Sequence, residues 1–160
     1  MKILITGCAG FIGFHLAEKL LINNKFRVYG IDNLNTYYDV KLKQDRLKIL
    51  KKNINFNFKK LDISNFVKLS KNFKENKYDY VINLAAQAGV RYSLVNSKKY
   101  LNSNIIGFYN LIELVKLNKI KSFYYASTSS VYGSNYKLPF DEKKSTDNPL
   151  NFYAATKKCN

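Results

Sequence analysis

The sequence is poor in cysteine and arginine, and it has no long apolar run. Cys8 and Cys159 are its only cysteines among 160 residues, which excludes a disulfide framework and a cysteine-based metal cluster. A reducing, cytoplasmic setting is the simplest expectation for such a chain. The apolar start, Ile3-Leu4-Ile5, is broken at Gly7 and is too short for a signal peptide. No apolar run approaches the ~20 residues of a membrane-spanning helix, so no membrane partner is expected. Arginine is confined to Arg27, Arg46 and Arg91, three of 27 basic residues. The formal net charge of +16 would suit a nucleic-acid partner, but arginine is the usual reader of base edges. The lysines are spread along the chain, from Lys41 through Lys52 to Lys77, and asparagine is heavily used. The charge therefore reads as a solvated lysine-rich surface, with no nucleic acid bound. There is no internal repeat and no low-complexity linker.

What is present is a core. The composition is 46% hydrophobic and 15% aromatic, against disorder and in keeping with one packed domain at this length. Short apolar runs alternate with longer amphipathic ones. Ile3-Leu4-Ile5 predicts a buried strand, followed by a glycine-rich turn and a helix over 11–23 with Ile12, Leu16 and Leu20 on one face and Ala17 and Leu21 beside them. Further strands are expected at 26–32, around Phe56 and Phe58, at 80–84 and at 122–126. A helix is expected over 40–51 with Leu42, Leu47 and Leu50 inward. A short helix carrying Phe66, Val67 and Leu69 is expected behind Ser64 as cap. A long periodic helix is expected over 98–118, with Ile105, Tyr109, Ile112 and Leu117 among its apolar positions. A loop with Pro139 and Pro149 leads to a last helix opening near Asn151. This alternation implies an α/β domain, a parallel doubly wound sheet with helices on both faces. Ligands of such sheets bind at the carboxyl ends of the strands.

Thr6-Gly7-Cys8-Ala9-Gly10-Phe11-Ile12-Gly13 falls between the first strand and the first helix. Gly7 suits a tight turn, Gly10 a close approach of backbone N–H groups to a pyrophosphate, and Gly13 a close helix–strand contact. Asp32 closes the second strand 19 residues after Gly13. Its carboxylate would accept from the adenosine ribose hydroxyls and repel a 2′-phosphate, which favours NAD over NADP. Asn33-Leu34-Asn35 adds no arginine to hold such a phosphate. His15 and Cys8 have no expected partner for catalysis and read as structural. Tyr153 and Lys157 are four residues apart, so a helix would stack them on one face. An ammonium beside a phenol favours the phenolate, which makes a proton-transfer pair.

These motifs, with Asn83-Leu84-Ala85-Ala86 and Ser130-Val131-Tyr132-Gly133, resemble the extended short-chain dehydrogenase/reductase superfamily, the nucleotide-sugar epimerases and dehydratases with a Rossmann domain. Asp32-Asn33-Leu34-Asn35-Thr36-Tyr37-Tyr38-Asp39 and Gln87-Ala88-Gly89-Val90-Arg91-Tyr92-Ser93 resemble the UDP-glucuronate 4-epimerases of polysaccharide biosynthesis. Asn83 departs from the His common in close relatives. The resemblance implies NAD as cofactor and a UDP-sugar as substrate. It makes Tyr153 the catalytic base, Lys157 the residue that stabilises its anion and holds the nicotinamide ribose, and Thr128 a hydrogen-bond donor to the reacting oxygen. Gly7, Gly10, Phe11, Ile12, Gly13, Asp32, Asn33, Asp62, Ile63, Ala85, Ala86, Gln87 and Asn104 would lie along the cofactor, with Arg91, Ser129 and Ser130 toward the sugar. Tyr153 would take the 4-hydroxyl proton while C4 passes a hydride to NAD; the 4-keto sugar would turn and take the hydride back on its other face. Dehydratase relatives carry an Asp-Glu pair after the active-site Thr. Here Ser129 and Ser130 follow Thr128, and two hydroxyls cannot do that acid–base work. They are suited to hydrogen-bonding a sugar carboxylate. UDP-galactose 4-epimerase and UDP-glucuronate decarboxylase are the alternatives within the family; a basic nucleic-acid-binding module is the distant one.

The catalytic helix of relatives continues beyond the Lys, and a further segment builds the sugar pocket. The resemblance thus implies that residues 1–160 are an amino-terminal NAD-binding domain truncated in the catalytic helix, with the carboxy-terminal substrate portion absent. A helix of about ten residues is marginal without further packing, and the full-length parent is expected to dimerise through this helix and the one at 98–118. The expected outcome is that the 160-residue chain alone binds NAD weakly and does not turn over. Steady conversion of UDP-glucuronate to UDP-galacturonate by the purified chain would refute this expectation.

Overall fold

The computed structural model describes residues 1–134 and 138–160. Five parallel strands form one sheet: β1 (Lys2–Thr6), β2 (Arg27–Asp32), β3 (Phe56–Lys60), β4 (Tyr80–Asn83) and β5 (Ser122–Tyr125). Their order is β3-β2-β1-β4-β5, so the direction of winding reverses beside β1. The register aligns the ends that matter: Thr6 pairs with Ile31 on one side and with Asn83 on the other. Parallel strands buried on both faces favour continuous β-branched and aliphatic runs, and Ile3, Leu4, Ile5, Val28, Ile31 and Val81 are all buried.

Helices cover both faces. Ile3, Ile5 and Val28 pack against Phe14, Ala17 and Leu21 of α1 (Phe11–Leu21) and against Leu47 and Leu50 of α2 (Val40–Leu50). On the other face Leu4, Ile31 and Val81 meet Leu69 and Phe73 of α3 (Phe66–Asn76) and Leu111 and Leu114 of α6 (Gly107–Leu117). Between them run α4 (Val90–Val95) and α5 (Ser97–Tyr100), which leads through a π-helical turn, Leu101–Ile106, into α6. After β5 comes a 3-10 turn, Ser129–Tyr132, and then α7 (Phe152–Lys158). The strand and helix positions follow the pattern of the sequence, and Asn151 caps α7 through Oδ1, which accepts from the Ala154 N–H at 2.8 Å.

The buried faces of the helices match expectation in part: Ala17, Leu21, Leu47, Leu50 and Leu69 are buried, and Leu16 and Leu20 pack at the edge of the core. Ile12 is 64% exposed, and the inward stripe of α1 is Gly13, Phe14, Ala17 and Leu21. Leu42 is 52% exposed and Lys43 occupies the inward position. Tyr109, Ile112 and Leu117 face outward, while Phe108, Leu111 and Leu114 are buried. Asn65, rather than Ser64, caps α3, accepting from the Lys68 N–H at 3.0 Å, and Phe66 and Val67 are exposed. At Ile12 and Leu42 an apolar residue one position from the buried stripe biased the periodicity. α4 was not expected.

The contact of α1 with the first loop is tight. A Cβ on Gly13 would collide with the Gly7 carbonyl oxygen and lie 2.9 Å from the Cys8 Cα, both main-chain atoms. Gly13→Ala is expected to cost about 1–3 kcal/mol, read as a fall of roughly 3–10 °C in thermal midpoint. An unchanged midpoint would contradict this packing.

Candidate active site

Where the winding reverses, the loops after β1 and β4 part and leave a cleft at the carboxyl edge of the sheet. Gly7, Gly10, Asp32, Asn33, Asp62, Ile63, Ala85, Ala86 and Gln87 line it. Thr6, fully buried, joins the two strand ends: its hydroxyl donates to Asn83 Oδ1 at 2.5 Å and accepts from the Ala85 N–H at 3.0 Å. Asn83 thus has a local role of its own at the position where the family resemblance suggests His.

The floor is the glycine turn. Gly7 has φ +69°, and a Cβ there would lie 2.8 Å from the Ala85 nitrogen, so both conformation and space require glycine. Its N–H donates to Ile31 O at 2.8 Å, and the Gly10 N–H donates to Gly7 O at 3.0 Å. Gly10 caps α1 with no side chain to cover the first-turn N–H groups, which have no intrahelical partner. Phe11 and Ile12 are 66% and 64% exposed; what they offer a ligand is main chain. A glycine cradle ending in open helix N–H groups fits a pyrophosphate.

The second wall is acidic and polar. Asp32, at the end of β2, is buried; Oδ1 accepts from the Leu34 N–H at 2.8 Å and Oδ2 from the Ala9 N–H at 3.2 Å. Each oxygen keeps a further lone pair for a hydroxyl. Burial alone would push the Asp62 carboxyl up, but hydrogen bonds from Asn33 Nδ2 (2.8 Å) and from the Ser64 N–H and hydroxyl outweigh it and hold it below the usual range. Lys43 also lines the cleft. Its ammonium donates to the carbonyl and Oδ1 of Asn35 at 2.9 and 2.8 Å and sits 4.5 Å from the Tyr38 ring centroid. Burial lowers the Lys43 pKa, against the opposing pull of the Asp32 charge.

Asn104, at the middle of the π turn, joins this cleft to α7. It is buried, and its Oδ1 accepts from the Gln87 N–H at 2.8 Å. Its Nδ2 donates to Gln87 O at 3.1 Å and to Thr156 Oγ1 at 3.0 Å. The Thr156 hydroxyl in turn donates to Tyr153 O at 2.8 Å. Asn104 therefore comes to the site with its side chain directed at protein groups. Asn160 Nδ2 donates to the Asn104 carbonyl at 2.8 Å, and Asn160 Oδ1 accepts from the Lys157 ammonium at 2.8 Å. Lys157 is 6% exposed, and burial lowers its pKa. Tyr153 is half-buried, its ring edge-on to that of Tyr100 with centroids 6.1 Å apart. The Tyr100 hydroxyl donates to Ala88 O at 2.7 Å and also reaches Gly89 O, so the same residue braces the loop after β4.

The remaining expected residues flank α7, which packs against both α4 and the 3-10 turn. Thr128 caps that turn, accepting from the Ser130 N–H at 3.2 Å; Ser129 is exposed and Ser130 half-buried. Arg91 is exposed on α4. Cys8 is buried behind the glycine turn, where burial raises its thiol pKa. His15 is exposed, with Glu18 3.7 Å away, a carboxylate that the sequence reading did not pair with it. Among the described residues no group of His, Cys, Asp and Glu could hold a metal ion, and no helix is long and apolar enough to cross a membrane. The sequence reading missed Lys43, Arg46, Tyr100 and Thr156. Lys43 was detectable as the one charge on the stripe 43, 47, 50; the partners of Thr156 and Tyr100 are distant in sequence and left no local signal.

Residues 4–160 match the family described as GDP-mannose 4,6 dehydratase. The chain is 52% identical over 160 residues to Protein CapI of Staphylococcus aureus, covering 100% of this chain and 47% of that protein. It is 50% identical over 155 residues to UDP-glucuronate 4-epimerase of Thermodesulfobacterium geofontis, covering 97% and 47%. A crystal structure of UDP-glucuronic acid 4-epimerase from Bacillus cereus, in complex with UDP-glucuronic acid and NAD, superposes with a TM-score of 0.89 at 38% identity, covering 99% of this chain and 49% of that one. The chain spans about half the length of the curated relatives it matches.

Two outcomes are expected. Asn104→Leu leaves both main-chain groups of Gln87 and the Thr156 hydroxyl without their partner, and should cost about 2–4 kcal/mol in urea unfolding; a loss well under 1 kcal/mol would contradict the network. Because the folded Asp62 pKa is depressed, its contribution is present above the unfolded value near 3.9 and is lost as pH falls through the folded value. Asp62→Asn should therefore be less stable than the parent at neutral pH and approach it in acid; an equal gap at both pH values would contradict this.

Proposed function

The chain belongs to the GDP-mannose 4,6-dehydratase family, and we propose that residues 1–160 are the NAD-binding domain of a UDP-sugar 4-epimerase acting on UDP-glucuronate. The observation that carries this reading is the junction at Asn104, where a cleft suited to a dinucleotide is tied to the helix bearing Tyr153 and Lys157. Glycines where a Cβ would strike main chain, open helix N–H groups and the Asp32 carboxylate fit NAD. Asp32 and Asn33 would hold the adenosine ribose, Asp62 and Ile63 the adenine side, the turn the pyrophosphate, and Ala85, Ala86 and Gln87 the wall beside it. Bound NAD would supply reversible hydride acceptance at the sugar C4.

The chain's own residues supply proton handling. Tyr153 would accept the 4-hydroxyl proton as the C4 hydride leaves and return it when the hydride comes back. The Lys157 ammonium would stabilise the tyrosinate and hold the nicotinamide ribose. The Thr128 hydroxyl would donate to the same sugar oxygen. Ser129 and Ser130 stand where a dehydratase needs an acid pair, which supports epimerisation over dehydration despite the family's description. They and Arg91 suit a uronate carboxylate. The outward face of α6, with Tyr109 60% and Leu117 68% exposed, supports a homodimer of the full-length parent, and the low cysteine content supports a cytoplasmic setting.

The test is conversion of UDP-glucuronate to UDP-galacturonate by a protein carrying this chain, with NAD present. Tyr153→Phe should lower turnover at least about a hundredfold with NAD affinity nearly unchanged. Ser129→Ala and Ser130→Ala should raise KM for UDP-glucuronate more than for UDP-glucose. Turnover of UDP-glucose alone, or equal effects on both sugars, would overturn the uronate assignment; failure to bind NAD would overturn the cofactor assignment.

A further inference from the structure

Arg46 lies on α2, outside every expected site residue, yet it reaches back to the glycine turn. Its Nη1 donates to Ala9 O at 3.2 Å and to the Tyr38 hydroxyl at 3.3 Å, and its guanidinium carbon is 5.8 Å from the Phe11 ring centroid. Ala9 is fully buried. Its N–H donates to Asp32 Oδ2 at 3.2 Å, and the N–H of the next residue, Gly10, donates to Gly7 O at 3.0 Å. The Ala9–Gly10 peptide plane is thus held from both edges, by Arg46 at its carbonyl and by Gly7 at its N–H. It is the last plane before the open N–H groups of α1. The neighbouring basic positions of α2 are lysines, Lys41, Lys43 and Lys48. An arginine stands where one planar group must reach a carbonyl, a hydroxyl and a ring together, which an ammonium does poorly.

We propose that Arg46 is a positioning residue for phosphate binding: it fixes the glycine turn so that the N–H groups of the turn meet the pyrophosphate of a dinucleotide. The proposal rests on the dinucleotide reading of the cleft for its ligand, but not for its structural half. Without the guanidinium the Ala9 carbonyl loses its partner and the turn samples other peptide orientations, so a bound anion must first select the competent one.

The test uses the 160-residue chain. In the ligand-free protein, amide hydrogen exchange across residues 7–13 should speed up about tenfold in Arg46→Ala, with the central strands unchanged. Affinity for NAD and for ADP should fall about tenfold, and affinity for adenosine, which lacks phosphate, should hold within about twofold. Arg46→Lys, which keeps the charge without the fork, should still exchange fast at the turn, and it carries the test if Arg46→Ala does not fold. Unchanged exchange at the turn, equal weakening for adenosine, or full recovery in Arg46→Lys would each overturn the proposal. A parent chain that binds none of the three ligands overturns the dinucleotide reading, and the exchange result then decides the role of Arg46 in the turn.

Discussion

The side-chain amide of Asn104 is the constraint on which the rest of the site depends. An α/β sheet of this kind builds its cleft from loops after its strands, and on the proposed function the proton-transfer group comes from a helix outside that set. α7 is short, seven residues, and helices of that length have little stability of their own. It is held because Asn104 uses an acceptor and two donors on Gln87 and Thr156, all inside a dry interior where an unmet polar group is costly. The π-helical turn around Asn104 serves the same end. Such turns interrupt the regular ladder and are common at functional sites, and here the Asn104 carbonyl takes the Asn160 side chain, which holds Lys157.

A second constraint is electrostatic. The surface is rich in lysine, yet the charges that matter to the cleft are few and enclosed. Asp32 and Asp62 face the ligand space from the ends of adjacent crossings, each with its oxygens oriented by N–H donors. Lys43 and Arg46 approach from α2 on the other side. Their hydrogen bonds go to Asn35 and Ala9, so they brace loops rather than cancel the carboxylates. On the proposed function this leaves Asp32 to accept from ribose hydroxyls.

The parts legible in the sequence were those encoded locally. The glycine turn between β1 and α1, Asp32 at the end of β2, and the placing of Tyr153 and Lys157 on one helix are short motifs whose position does not need the fold. The parallel, two-faced sheet followed from alternation; its strand order, β3-β2-β1-β4-β5, came only with the structure. Helix faces were read less well. Ile12 and Leu42 are large apolar residues on the surface; they were read into stripes whose other members, Ala17, Leu21, Leu47 and Leu50, are buried, while Gly13 and Lys43 take the inward positions. A buried Lys inverts the usual pattern, so Lys43 was passed over although it falls on the stripe of Leu47 and Leu50. The Asn104 network was invisible for a different reason: its partners lie 17 and 52 residues away, and only the packing of α7 brings them together.

The most direct measurement is amide hydrogen exchange of α7 and of the loop at 85–89 with and without NAD. One buried network joins the two, so NAD should slow exchange in both, and the slowing in α7 should vanish in a variant lacking the Asn104 side-chain amide. Protection confined to the cleft loops, with α7 exchanging at its free rate, would contradict it.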